Sequence, residues 1–381
     1  RSTCSWAAGP SRLAPPTFVV YRHMLALTIL ALLGSGVVGL APAPGAPRLA
    51  LDRRSFSGAF AGTAAALLAP NRAAAAPAAS WTLAGGVEMP TLALNTAGLS
   101  AQSAAEAVKL ALAAGISHVD FHPGAERDGV AKALKNVDRS ALFLTTKLVP
   151  VAPGTPPAFA AGLVRAQVSA DLVALGVDRV DMLMMRDHPD CLVMAAQWAV
   201  CEDLLRQGKV RSLGTVNFCE RQLECLLTTA VVQPSLNYFM LHPGMGSDAG
   251  GLRTFGEARG IRTFAYGVLG EPGPSPALLG EGGPLADAAL AHGKPVEAVS
   301  IRWALQSGAA VSVRPTADYG LGFSACRLNN DVCAEGLAAR AGATTFELTA
   351  GEMAALDDLR SPGGNPCLFS RACNPSREGL P

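Results

Sequence analysis

The sequence predicts an α/β protein whose main domain is a (β/α)8 TIM barrel with a short N-terminal β-hairpin. Two observations carry this. Eight short apolar runs alternate with helical stripes between Thr91 and Arg314. They lie within residues 77–381, about 300 residues, the size of one such barrel. Eight strands with a helix after each favour a closed barrel; an open doubly wound sheet is the alternative topology.

The elements follow in order. Trp81–Pro90 reads as the hairpin, with Gly85 and Gly86 at its turn. The candidate strands are Thr91–Asn95, Ser117–Phe121, Ala141–Lys147, Val180–Met185, Val210–Val216, Ser235–Tyr238, Arg262–Tyr266 and Ala310–Arg314. Helical stripes lie between them, for example Ala104–Ala114, Val164–Leu175 and Val296–Gln306. The clearest unit runs from Gln207 to Phe218. Trp198, Cys201, Leu204 and Leu205 sit about one helical turn apart and end at Gly208, where a left-handed cap is wanted. Val210–Val216 is short and mostly apolar, as a parallel barrel strand should be. Asn217 then puts an amide at the strand's carboxyl end, where such barrels bind ligands. A helix or turn cap is the competing role for Asn217.

Composition narrows the function. The chain has 381 residues, 50% of them hydrophobic and 16% charged, with a net charge of +1. That balance, with no basic run carrying interleaved aromatics, argues against a nucleic-acid surface. Of nine cysteines, all but Cys4 lie in the barrel part. Their spacing holds no pair of Cys-x-x-Cys motifs, so no metal site is expected. An even count permits disulfides, while buried free thiols fit Cys201 and Cys219 equally well.

Residues 1–76 read as addressing, and residues 77–381 as the barrel domain. Leu25–Leu40 is an apolar core too short for a membrane span and right for a signal peptide, so 24–47 is signal-like. Residues 52–76 hold Arg53-Arg54, Phe56, a mild apolar segment and a small-residue cleavage site, and resemble a twin-arginine export signal. The tandem resembles the presequences of algae with complex plastids, which implies delivery to the thylakoid lumen; a periplasmic export signal is the alternative. No membrane span is expected in the mature chain, and a monomer is favoured.

Ordered motifs then carry a family resemblance, from about Val87 to Leu359. Gly115-Ile-Ser-His-Val-Asp120, Thr145-Thr-Lys147 and Gly208-Lys-Val-Arg-Ser-Leu-Gly-Thr-Val-Asn-Phe218 are three of them. Asn237 with His242-Pro243, and Ala265-Tyr266-Gly-Val-Leu-Gly270, complete the set. In this order they resemble the aldo-keto reductase family. The resemblance implies hydride transfer from a nicotinamide to a small carbonyl substrate, with a Lys–Asp pair supporting a Tyr acid and a His orienting the carbonyl. Asp120 and Lys147 match the pair. Asn217 matches the nicotinamide amide ligand, Tyr238 replaces its partnering Gln, and Tyr266 matches the stacking ring. Arg314 stands where the family holds the adenosine phosphate, which favours NADPH. Arg327 and Asn330, past an insertion, are candidates for the family's further phosphate contacts.

The same alignment exposes a gap. At the family's Tyr position stands Ala125, or Gly124 when aligned back from Val130–Leu134. None of the four tyrosines lies between Asp120 and Asn217. Arg186 takes the His position, with His188 two places on. Side chains two apart on a strand face the same way, so His122 is expected to join Asp120 and Lys147 at the mouth. His122 and His188 are therefore candidate substitute acids; a strand-end cap is the competing account of His122. The alternative function is an inactive nucleotide-binding or interaction protein.

The addressing expectation is directly testable. Residues 24–80 fused to a fluorescent protein should reach a plastid lumen in an alga, and Arg53→Lys with Arg54→Lys should stop the last step. Cytosolic fluorescence from the intact fusion would remove the idea.

Overall fold

The computed structural model describes residues 79–270, 275, 278–315, 330–361 and 364–374. The two addressing segments and Arg327 lie outside the described residues.

The hairpin is β1 (Ser80–Leu83) and β2 (Val87–Pro90), paired antiparallel. The barrel strands are β3 (Leu92–Asn95), β4 (His118–Asp120), β5 (Phe143–Lys147), β6 (Val180–Arg186), β7 (Val210–Val216), β8 (Leu236–Met240), β9 (Arg262–Tyr266) and β10 (Ala310–Val313). They are parallel and close in the order β10-β3-β4-β5-β6-β7-β8-β9. The sheet is therefore closed, and the open-sheet alternative falls. Around it lie α1 (Ala101–Ala113), α2 (Ala125–Leu134), α3 (Pro157–Leu175), α4 (Cys191–Arg206), α5 (Glu220–Leu227), α6 (Leu252–Glu257), α7 (Pro284–His292) and α8 (Val296–Gln306). Helices Asn330–Ala341 and Ala350–Asp357 complete the described set.

Two helices begin earlier than their apolar stripes. Ser100 caps α1 by accepting from the Ser103 amide at 3.2 Å. Pro157 opens α3, where its missing N–H costs nothing. The extra turns carry small or exposed residues, so periodicity alone did not reach them. By length and composition α3 could cross a membrane, but Ala160, Val164, Val168, Leu172 and Leu175 on it are buried.

The hairpin explains why the barrel has a floor. Leu83, Val87 and Met89 share one buried apolar cluster with Ala93, Phe143, Met182, Phe264 and Ala310. His118 belongs to this plug. One ring nitrogen lies 2.9 Å from the Pro90 carbonyl and the other 2.7 Å from Thr145 Oγ1. Burial drives its pKa down to about 4, so it is a neutral packing residue.

On the outside, Trp198, Cys201 and Leu204 of α4 are buried in the main core. Gly208 follows at φ 69°, the left-handed geometry expected of it. Between described residues, the disulfides Cys191–Cys225 and Cys219–Cys373 join the outer layer, with Cα separations of 5.9 and 6.5 Å. Cys201 is a buried free thiol. Cys219 is not: the C-terminal segment, which lacks any periodic pattern, brings Cys373 to it.

Helices α1 and α2 meet at Gly129. A Cβ there would stand 2.5 Å from Ala104 Cβ and 2.6 Å from the Ala101 carbonyl oxygen. Gly129→Ala should therefore lower stability by about 1–3 kcal/mol. Gly162→Ala, in open space on α3, should raise it by a few tenths to about 1 kcal/mol. Thermal unfolding of both variants checks the pair.

Candidate active site at the carboxyl mouth

A cavity of about 390 Å³ opens at the carboxyl ends of the strands. Asn95, Lys147, Arg186, Asn217, Tyr238, Tyr266 and Arg314 reach it from seven strands or the residue just beyond. His122 follows β4, and Phe369 and Arg371 arrive from the C-terminal segment. A larger groove of about 500 Å³ runs between α3 and α4, but it carries none of the strand-end groups.

The register explains the convergence. Asn95 pairs with Asp120, and Asp120 with Thr145. Lys147, two places past Thr145, points to the same interior. Its Nζ forms an ion pair with Asp120 Oδ1. Ser312 donates to the other carboxylate oxygen at 2.8 Å. Burial pushes the Asp120 carboxyl up, but Lys147, His122 and Ser312 outweigh it and hold it below its ordinary value. Burial lowers the Lys147 ammonium, and Asp120 only partly offsets this.

Asn217 ends β7 at φ 60°, a left-handed conformation that Asn tolerates. Its amide N–H donates to the Tyr238 carbonyl at 2.8 Å, and its Oδ1 accepts from the Tyr266 hydroxyl at 2.8 Å. Asn237 braces the turn, donating to the Phe218 carbonyl at 2.8 Å. Tyr238 is buried beneath. Its ring lies 4.7 Å from that of Tyr266 and carries Lys147 Nζ 4.8 Å above its face. Its hydroxyl accepts from Asn95 Nδ2 at 3.1 Å. Burial, then the Asp120 charge, raise its pKa well above the usual phenol value. A phenol therefore stands at the site, in the Gln position, but it holds its proton tightly.

The two substitute-acid candidates part here. His122 lines the cavity, with Nδ1 3.0 Å from Glu126 Oε2. Glu126 also accepts the His122 amide at 2.9 Å, so the ring is tethered to the first turn of α2. As a substitute acid beside Asp120, His122 was expected to keep its proton readily. Instead burial, then Lys147, outweigh Glu126 and lower its pKa. His188 does not reach the site. It is buried, its Nδ1 accepts the Asp190 amide at 3.0 Å, and its Nε2 lies 3.4 Å from the Ala152 carbonyl. The chain turns at the end of β6, which breaks the alternation that would have pointed it inward. Ala125 is exposed at the start of α2, so no hydroxyl comes from the family's usual loop.

The C-terminal segment was not foreseen as part of the site. Asp187, next to Arg186, accepts from Ser370 Oγ at 2.8 Å, the Arg371 amide at 2.6 Å and the Ala372 amide at 3.1 Å. Arg221 donates to the Ala372 carbonyl at 2.7 Å. Together with Cys219–Cys373 these contacts make a strap that forms one wall of the mouth. Cys373 was the only sequence signal for it.

A closed parallel barrel with a polar, cationic cavity at its carboxyl mouth defines a (β/α)8 protein built to bind a ligand there. The chain belongs to the aldo/keto reductase family, whose model matches residues 89–360. It is similar to morphine 6-dehydrogenase of Pseudomonas putida, 28% identical over 286 residues, 72% of this chain and 88% of that protein. It is also similar to an NAD/NADP-dependent indole-3-acetaldehyde reductase of Schizosaccharomyces pombe, 31% identical over 48% of this chain and 62% of that one. Among solved structures, an aldo/keto reductase from Brucella melitensis superposes with a TM-score of 0.60, at 25% identity, over 74% of this chain and 98% of that one.

The strap makes a clear prediction. Asp187→Ala removes an acceptor shared by three donors, each hydrogen bond to a charged group contributing about 1.5–3 kcal/mol. The Arg371 and Ala372 amides should then exchange with solvent at least about tenfold faster. Barrel-strand amides should keep their rates.

Proposed function

We propose that this chain is an NADPH-dependent reductase of small carbonyl compounds in which Lys147, not a phenol, supplies the proton. The supporting observation is the convergence of Lys147, Asn217 and Tyr266 on one cavity of about 390 Å³. That volume suits a nicotinamide with a small substrate.

The residues present fit the nicotinamide end of the cofactor. Asn217 Oδ1 is committed to Tyr266, while its Nδ2 remains available to donate to a carboxamide. The Tyr266 ring offers a stacking face. Arg314 would take a phosphate through two hydrogen bonds. The Schizosaccharomyces pombe relative, an NAD/NADP-dependent reductase, supports the same reading. NADPH, when bound, supplies the hydride.

The chain's own part is the proton. Lys147 Nζ donates to the substrate oxygen and passes its proton to the alkoxide. Asp120 stays ionised and keeps the amine in place. Burial makes the ammonium a better acid than a free lysine, which suits it to the task. Tyr238 is the wrong acid because its pKa moves the other way. Arg186 adds positive charge beside the developing oxyanion. A nucleotide-binding protein without turnover is the second reading, favoured by Ala125 in the Tyr position. As part of the same proposal, the barrel works in an exported, oxidising compartment, the thylakoid lumen. Cys191–Cys225 and Cys219–Cys373 support that placement.

The test is NADPH titration of the purified protein, then turnover of a reactive dicarbonyl across pH. An acid works only while protonated. With Lys147 as donor, the rate should hold through the imidazole range and fall as pH rises through a pKa below 10.5. Lys147→Met should lose about 10²- to 10⁴-fold with NADPH still bound. With His122 as donor, the rate would already fall as pH rises through a pKa below 6.5, and His122→Gln would abolish it. Bound NADPH with no turnover at any pH favours the second reading.

A further inference from the structure

The mouth has more positive charge than hydride transfer requires. Lys147, Arg186, Arg314 and Arg371 line it, and among the described residues no carboxylate does. Lys147 is answered by Asp120. Under the reading above, Arg314 faces the cofactor phosphate. Arg186 and Arg371 are left.

Both are held in place, and neither is in an ion pair among the described residues. Arg186 ends the rigid strand β6 and among the described residues donates only through Nε, to the Leu148 carbonyl at 3.2 Å. Arg371 is positioned through its backbone, by the Asp187 bond, and its guanidinium makes no hydrogen bond among the described residues. The two charges feel each other. Burial pushes the Arg186 pKa down, and the charge of Arg371 acts in the same direction. Asp187 attracts both guanidiniums, but among the described residues it forms an ion pair with neither, and its Oδ2 is taken by the three strap donors. Two like charges at a half-enclosed cavity are costly unless an anion joins them. A guanidinium fork matches a carboxylate through two parallel hydrogen bonds.

We infer that the substrate carries a carboxylate beside its carbonyl: a small oxo acid, with the carboxylate held between Arg186 and Arg371 and the carbonyl oxygen turned to Lys147. This rests on the reductase reading and narrows it to a substrate class. It also gives the C-terminal strap a purpose, since the strap brings the second guanidinium to the mouth.

The probes are oxamate, a non-reducible analogue of a 2-oxo acid, and its neutral counterpart oxamide. Calorimetry of the full chain, with and without NADPH, should show oxamate binding at least about tenfold more tightly, since hydrogen bonds to a charged group are the stronger ones. The preference should shrink as salt rises. Arg186→Gln and Arg371→Gln should each erase it; Arg371→Gln should do so with oxamide binding unchanged, and the melting temperature reports the fold of both variants. Equal binding of both probes by the parent chain overturns the inference, as does a preference that survives both substitutions. Turnover of a neutral dicarbonyl without oxamate binding would sink the oxo-acid assignment alone. An oxamate preference without reduction of any oxo acid would sink the reductase reading and leave the anion site standing.

Discussion

The site depends on one buried ion pair. Lys147 and Asp120 are both almost inaccessible to water, and neither charge is tolerable there alone. Removing one partner of such a pair costs about 3–5 kcal/mol, because the other is left buried and charged. The pair also fixes what surrounds it. Asp120 orients Ser312 across the barrel closure, and Lys147 sits on the Tyr238 ring. The register of β3, β4 and β5 serves to bring these two groups to one level.

Loss of the family's phenol follows from local geometry. The loop after β4 turns into α2 at Gly124, with φ 91°, and Ala125 points to solvent. Tyr238 comes closest, but it lies below the ammonium and next to a carboxylate. Burial and that negative charge both favour the neutral phenol. The same burial lowers the lysine. Of the two neighbours, the ammonium is the one whose environment moves it toward proton release.

Much of this was legible in the chain because parallel barrel strands are short apolar runs, and helices declare themselves by period. β7 and β9 match their expected bounds, and Asp120, Lys147, Arg186, Asn217 and Tyr266 stand at strand ends as the alternation requires. Past the last strand residue the rule fails. His122 still faces the cavity because Glu126 holds it, whereas His188 turns to the backbone of the loop before α3. The acidity of Tyr238 and of His122 was not legible either, since each depends on a balance between burial and charges from other strands. Arg371 and Phe369 belong to a segment without helix or strand period, so only the folded chain brings them to the mouth.

The strap's covalent bond has a topological consequence. Joining Cys219 to Cys373 makes the intervening chain, with β8, β9 and β10, into a closed ring. A protease that cuts one peptide bond inside that ring severs the backbone but releases no fragment. Both pieces stay on one molecule until the sulfurs are reduced, so a nick and a reductant act on this protein as a logical AND.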